Sequence, residues 1–138
     1  MREMGGEGGP SVTVHAALDA LEANSSLSVL LVGNADQIDS ELSSAGNQIE
    51  GLAQRFTVEA SESVFLDTQK PAAILRSGRS SSLFRALELH QQGSVSAVVS
   101  AGNTGALLLA SRHLLKSIPG IELPAIVASL PFGGRSTL

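Results

Sequence analysis

A chain of 138 residues falls within the size range of one domain, and a composition with 43% hydrophobic, 16% charged and 3% aromatic residues suits close packing of helices on a sheet. The formal net charge of -4 supplies no overall basic field, and so few aromatic rings offer no stacking platform, so nucleic acid is not expected as a partner. The absence of cysteine excludes a disulfide framework, a thiolate zinc site and a cysteine nucleophile.

In chain order, Pro10 stands where a first helical position is expected, and Val14, Ala17, Leu18 and Leu21 recur at helical spacing up to Asn24. The apolar run Leu27 to Val32 predicts a strand ended by Gly33 and Asn34. A weaker helix follows, with Ile38 and Leu42 on one face. Arg55 to Glu59 alternates as a strand does. Lys70-Pro71 opens a short helical piece through Leu75. The run Ser80, Ser81, Ser82 then offers N-caps for a helix carrying Leu83, Leu87 and His90, which Gly93 ends.

Val95 to Ser100 reads as a buried strand and Ala101-Gly102-Asn103 as a tight turn. Thr104 is the expected cap of a helix through Leu107, Ala110, Leu114 and Leu115, closed by Pro119 and Gly120. Pro124 to Leu130 gives another strand. Strands alternating with helices at this spacing predict an α/β fold, a mainly parallel sheet with helices on both faces in three layers, and ligands at the carboxyl ends of the strands. The glycine-rich opening has no strand before it, and Arg135 to Leu138 reads as a strand begun and not finished. A single α/β domain portion, truncated at both ends, silent on its own and only marginally stable, is therefore expected.

Three segments have the chemistry for a site. Ser100-Ala101-Gly102-Asn103-Thr104-Gly105-Ala106 places small residues and donors at a strand-to-helix turn. There the first N–H groups of a helix lack acceptors, the dipole is positive and glycine lets an anion come close. The alternative is an ordinary capped turn. Gly5-Gly6-Glu7-Gly8-Gly9-Pro10 is a second glycine-rich approach to a helix, matching neither a dinucleotide fingerprint nor a P-loop, and taken alone it reads better as a flexible end. Between Thr68 and Leu87 lie Lys70, Arg76, Arg79 and Arg85 with no acidic residue, although the chain holds 13 acids. This basic stretch fits a phosphate or an acidic protein, although by itself a solvated helix face is the favoured reading. His15, His90 and His113 fall far apart on predicted helices, in no metal-ligand or catalytic-triad spacing.

Met4-Gly5-Gly6, Arg76 with Arg79-Ser80-Ser81-Ser82-Leu83, Ser100 through Ala106, Ile118-Pro119-Gly120-Ile121-Glu122-Leu123-Pro124-Ala125 and Leu130-Pro131 together resemble, in order and spacing, the bacterial phosphate acyltransferases of phospholipid synthesis. The resemblance covers nearly the whole chain and implies the N-terminal portion of a longer family member. Its reaction moves a fatty acyl group from acyl carrier protein to inorganic phosphate, with no metal and no organic cofactor. The resemblance assigns Asn103 and Thr104 to catalysis, and Gly5, Gly6, Glu7, Arg79, Ser81, Ser82, Ser100, Gly102 and Gly105 to substrate or phosphate. Arg76, Arg79 and Arg85 would dock acyl carrier protein. It further implies a homodimer in the cytoplasm with peripheral membrane contact. Family members carry aspartates where this chain has Arg2 and Glu7. The competing expectations are a related α/β enzyme, such as a phosphate acetyltransferase or an isocitrate-type dehydrogenase, and a noncatalytic binding fragment.

Overall fold

The computed structural model describes residues 9–127, 130–132 and 135–137. Its organising unit is a crossover in which strand β1 (Val29–Gly33) leads through helix α2 (Ala35–Ser44) to strand β2 (Phe56–Ala60). The strands pair in parallel, in register from Val29 opposite Phe56 to Gly33 opposite Ala60. A parallel pair needs a long connection, and α2 supplies it while covering the sheet. Asn34 starts α2 by accepting the Gln37 N–H at 2.9 Å, and Asp36 in the first turn complements the helix dipole.

Helix α1 (Gly9–Ala23) packs against α2, and the spacing seen in the sequence is the one buried: Val14, Leu18 and Leu21 are each 1% exposed or less. With Ile38, Leu42 and Leu52 they form one core, onto which Val29, Leu31, Phe56 and Val58 of the sheet pack. A fully buried side chain of this kind contributes about 1.5–3 kcal/mol. Arg55, just ahead of β2, fastens the end of α1. Its guanidinium donates to the carbonyls of Leu21 at 2.8 Å and Asn24 at 2.9 Å, placing a cation at the negative end of the helix dipole.

Side chains alternate along a strand, so Thr57 and Glu59 lie on the face opposite Phe56 and Val58. Glu59 meets Arg85 of helix α3 (Ser82–Gln91), which places α3 on the far side from α1 and α2. Three layers therefore form as expected, around two paired strands. Ser81 caps α3, accepting the Phe84 N–H, and Gly93 at φ 76° ends it. Gly93 N–H donates to His90 and Ser94 N–H to Leu89, which satisfies the last carbonyls. Helix α4 (Thr104–Leu115) packs on α3 and on the 3-10 turn Pro71–Leu75. Phe65, Ile74, Leu83, Phe84, Leu87, Ala106 and Ala110 make this second core.

Two expected strands differ. Val95 to Ser100 joins no ladder among the described residues: Val98 packs on the second core while Val99 is 98% exposed. A strand forms only where a partner's backbone is aligned beside it, and none of the described residues lies there. Pro124 to Val127 is likewise irregular, Ala128 and Ser129 lie outside the described residues, and the strand β3 (Leu130–Phe132) pairs antiparallel with β4 (Arg135–Thr137). Among the described residues no helix is long and apolar enough to cross a membrane.

Candidate functional site

Two hollows open at the carboxyl ends of the parallel strands, where an open α/β sheet offers its ligand site. The first, of about 180 Å³, lies beyond both strands and is lined by Asn34, Gln37, Ser61, Glu62, Ser63, Val64 and Leu66. The second, of about 230 Å³, lies between the end of β2 and the start of α3, lined by Ala60, Ser61, Glu62, Arg79, Ser80 and Arg85. Ser61 and Glu62 belong to both.

The walls of the second hollow are stitched together. Ser63 N–H donates to the Ser80 carbonyl at 3.3 Å and Ser82 N–H to the Ser63 carbonyl at 3.0 Å, with the Ser63 and Ser80 hydroxyls 3.0 Å apart. This short parallel bridge brings the chain leaving β2 alongside the chain entering α3. Ser81 is fully buried: its hydroxyl donates to the Gly78 carbonyl at 2.5 Å and accepts from Phe84 N–H at 3.4 Å, so it builds the turn. Gly78 is required below it. A Cβ there would stand 2.8 Å from the Ile74 Cα and 2.8 Å from the Phe65 ring. Ser82 is the first residue of α3 and half-buried.

Arg79 is exposed and donates its Nε–H to the Leu75 carbonyl at 3.1 Å, which leaves both Nη groups for other acceptors. Arg85 is held differently. Its Nε and Nη2 groups donate to one oxygen of Glu59 at 2.9 and 2.7 Å, and its Nη1 lies 3.5 Å from Glu88. Hydrogen bonding to Glu59 raises the Arg85 pKa above its ordinary value, with burial opposing, so the guanidinium stays charged. Arg76 stands exposed at the end of the 3-10 turn.

At the second turn singled out in the sequence, the cap of α4 is Asn103 and not Thr104. Its Oδ1 accepts the Ala106 N–H at 2.9 Å, while its Nδ2 donates to the carbonyls of Asp67 at 3.3 Å and Gln69 at 3.4 Å. Asn is as good a cap as Thr, and its longer amide reaches a neighbouring loop that a hydroxyl would not. Thr104, exposed, opens the helix, and its N–H and that of Gly105 have no intrahelical acceptor. Gly105 admits a close approach: a Cβ there would meet the Pro71 ring at 2.8 Å. Gly102 N–H donates to the Ser100 hydroxyl at 3.2 Å, fixing the turn ahead of the cap.

The structure thus brings Arg79 and Arg85 to one hollow, where Ser80 and not the expected Ser81 or Ser82 forms the lining because Ser81 is buried in the turn, and it builds Ser100 to Gly105 as a capped helix start outside that lining. Gly5, Gly6 and Glu7 lie outside the described residues. Sequence reasoning passed over Asn34, Glu59, Ser61 and Glu62, although the expected position of ligands beyond the strand ends was the signal that could have found them. Two histidines make local contacts: His15 Nδ1–H donates to Ser11 at 2.7 Å and His90 Nδ1–H to Val95 at 2.9 Å. The His113 ring lies 6.4 Å from that of Phe84. In comparison with known families, the model described as "Fatty acid synthesis protein" matches residues 1–138.

Proposed function

We propose, from the fact that this chain belongs to the fatty acid synthesis protein family and so serves fatty acid and phospholipid synthesis, that it transfers a fatty acyl group from acyl carrier protein to inorganic phosphate. The observation that carries this reading is the hollow between Arg79 and Arg85. It lies at the carboxyl end of a parallel strand, has room for a small anion, and is lined by Ser61 and Ser80 beside the two arginines, with Glu62 the one acid among its lining residues.

In the reaction an oxygen of hydrogen phosphate attacks the thioester carbonyl, a C–O bond forms, the C–S bond breaks, and the phosphate's proton ends on the released thiol. Phosphate is a poor nucleophile until it is held still, and orientation of the two reactants lowers the barrier. The free Nη groups of Arg79 and the remaining N–H groups of Arg85 hold the phosphate. On this reading the N–H groups of Thr104 and Gly105, which have no intrahelical acceptor, are the donors for the oxyanion that develops on the carbonyl. Asn103 keeps those donors in place, its own amide being used in the cap. The exposed Arg76 and Arg79 face an acidic carrier protein, steering it by charge.

The test is incorporation of labelled phosphate into an acyl phosphate by the protein carrying this sequence, supplied with acyl carrier protein thioester. Arg79→Ala should raise KM for phosphate and lower kcat/KM by ~10–100-fold, and Thr104→Gly, which keeps the backbone donor, should cost far less. Carrier-dependent turnover that is indifferent to Arg79 overturns the site, and absence of acyl phosphate overturns the reaction.

A further inference from the structure

Arg85 lines the hollow but is not free in it. Glu59 reaches it from the strand, across 26 positions of sequence, and Glu88 from one turn further along its own helix. The arrangement is asymmetric. Both close hydrogen bonds end on a single Glu59 oxygen, so the pair is not the parallel fork of two N–H groups on two oxygens. Nε–H and one hydrogen of Nη2 are spent on Glu59 and one of Nη1 on Glu88, which leaves one hydrogen on each Nη. These two are directed by a frame that is already fixed. The strand backbone holds Glu59 in register with Val32, and α3 holds Arg85.

An arginine on a free stem must give up rotamer freedom when it binds an anion. One tied to a carboxylate has given it up beforehand. We propose that Glu59 is a positioning residue of the anion site, presenting Arg85 to a phosphate-class oxyanion in the hollow between β2 and α3. The proposal rests on the reading of that hollow as a phosphate site. Glu59 and Glu88 offset the charge of Arg85 and Glu62 lines the same hollow, so Arg85 supplies direction while Arg79, exposed and unpaired with any acid among the described residues, supplies the cation free to meet an anion. Two arginines on one wall thus take separate parts, and exchanging Arg85 for lysine, which lacks the fork, would keep the charge and lose the direction.

The experiment measures inorganic phosphate binding by phosphorus NMR titration alongside steady-state turnover, on the unmodified protein and on Glu59→Gln, Glu59→Asp and Arg85→Lys, with thermal midpoints recorded for each. Glu59→Gln should weaken phosphate binding and raise KM for phosphate ~10-fold with kcat nearly unchanged, Arg85→Lys should match it, and Glu59→Asp should recover part of the loss. A folded Glu59→Gln protein that binds phosphate as well as or better than the unmodified one overturns the proposal, better binding meaning that Glu59 competes with the anion. Should Glu59→Gln fail to fold, an Arg85→Lys protein with unchanged phosphate affinity overturns it equally. Phosphate binding that weakens in Glu59→Gln, in a protein making no acyl phosphate, upholds the positioning role and rejects acyl transfer. Turnover with no phosphate bound in the hollow does the reverse.

Discussion

The two cores of this chain are built from similar apolar patterns and come to different ends. Around α1, α2, β1 and β2 every apolar run finds a partner: helices lie on strands, the strands pair, and Arg55 closes the end of α1. Around α3 and α4 the helical runs find partners as well, yet the extended runs 95–100 and 124–127 pair with no strand among the described residues, and Val99, Ile118, Leu123, Ile126 and Val127 are exposed. A helix satisfies its backbone within itself, whereas a strand depends on a second segment that may be far away in sequence. The difference between the regions is that between local and borrowed hydrogen bonding.

The largest expected effects test whether both cores carry stability despite this difference. Leu18→Ala in the first and Ile74→Ala in the second remove side chains that are 1% and 0% exposed, and each should cost ~2–5 kcal/mol in urea unfolding. A second core that is only loosely organised would show itself by a much smaller loss for Ile74→Ala.

Next in size is Gly78→Ala. The added methyl group would stand 2.6 Å from the Ile74 Cδ1 and 2.8 Å from its Cα, and the second of these contacts is with backbone that cannot swing aside. A cost of ~1–3 kcal/mol is expected, carried by the turn that shapes the wall of the hollow. Gly105→Ala meets the Pro71 ring at 2.8 Å and the Asn103 Oδ1 only at 3.4 Å, with no backbone among these contacts, and should cost less; equal losses would show that the ring is as immovable as the backbone.

Ser81→Ala should cost ~0.5–2 kcal/mol, because it takes away the cap of α3 and leaves the Phe84 N–H without its buried acceptor, while the Gly78 carbonyl keeps only the Ser81 N–H. Hydrogen exchange at the first turn of α3 would locate the loss, and protection unchanged there would mean that the hydroxyl is not the cap.

The same contrast explains what could be read from the chain alone. Val14, Leu18 and Leu21 announced α1, and Ser81 with Leu83 and Leu87 announced α3, because period and cap are local signals. The α/β class followed from the alternation of such elements. Val95 to Ser100 has the composition of a buried strand and lacks the neighbour that would make it one, information that composition does not contain. At the site, Arg79 and Arg85 stood out as cations in an acid-free stretch. Glu59 did not, since only the fold brings it to 2.7 Å from a residue 26 positions on. Asn103 was visible in a turn, but the reach of its amide to Asp67 and Gln69 was not.

The smallest expected effect is the sharpest on the comparison. Val98 and Val99 are adjacent and chemically identical, but Val98 packs partly buried on the second core while Val99 is 98% exposed. Were this stretch a strand covered on both faces, as central parallel strands are, the two positions would be about equally costly to truncate. With one face against the core and the other in solvent, Val98→Ala should cost ~1 kcal/mol and Val99→Ala should stay within about 0.5 kcal/mol of the unmodified protein. Each is measured as a shift of the urea midpoint at constant slope. Equal and substantial losses at both positions would mean that Val99 is covered in solution, and that this region differs from the first in the partner it recruits and not in its capacity to form a strand.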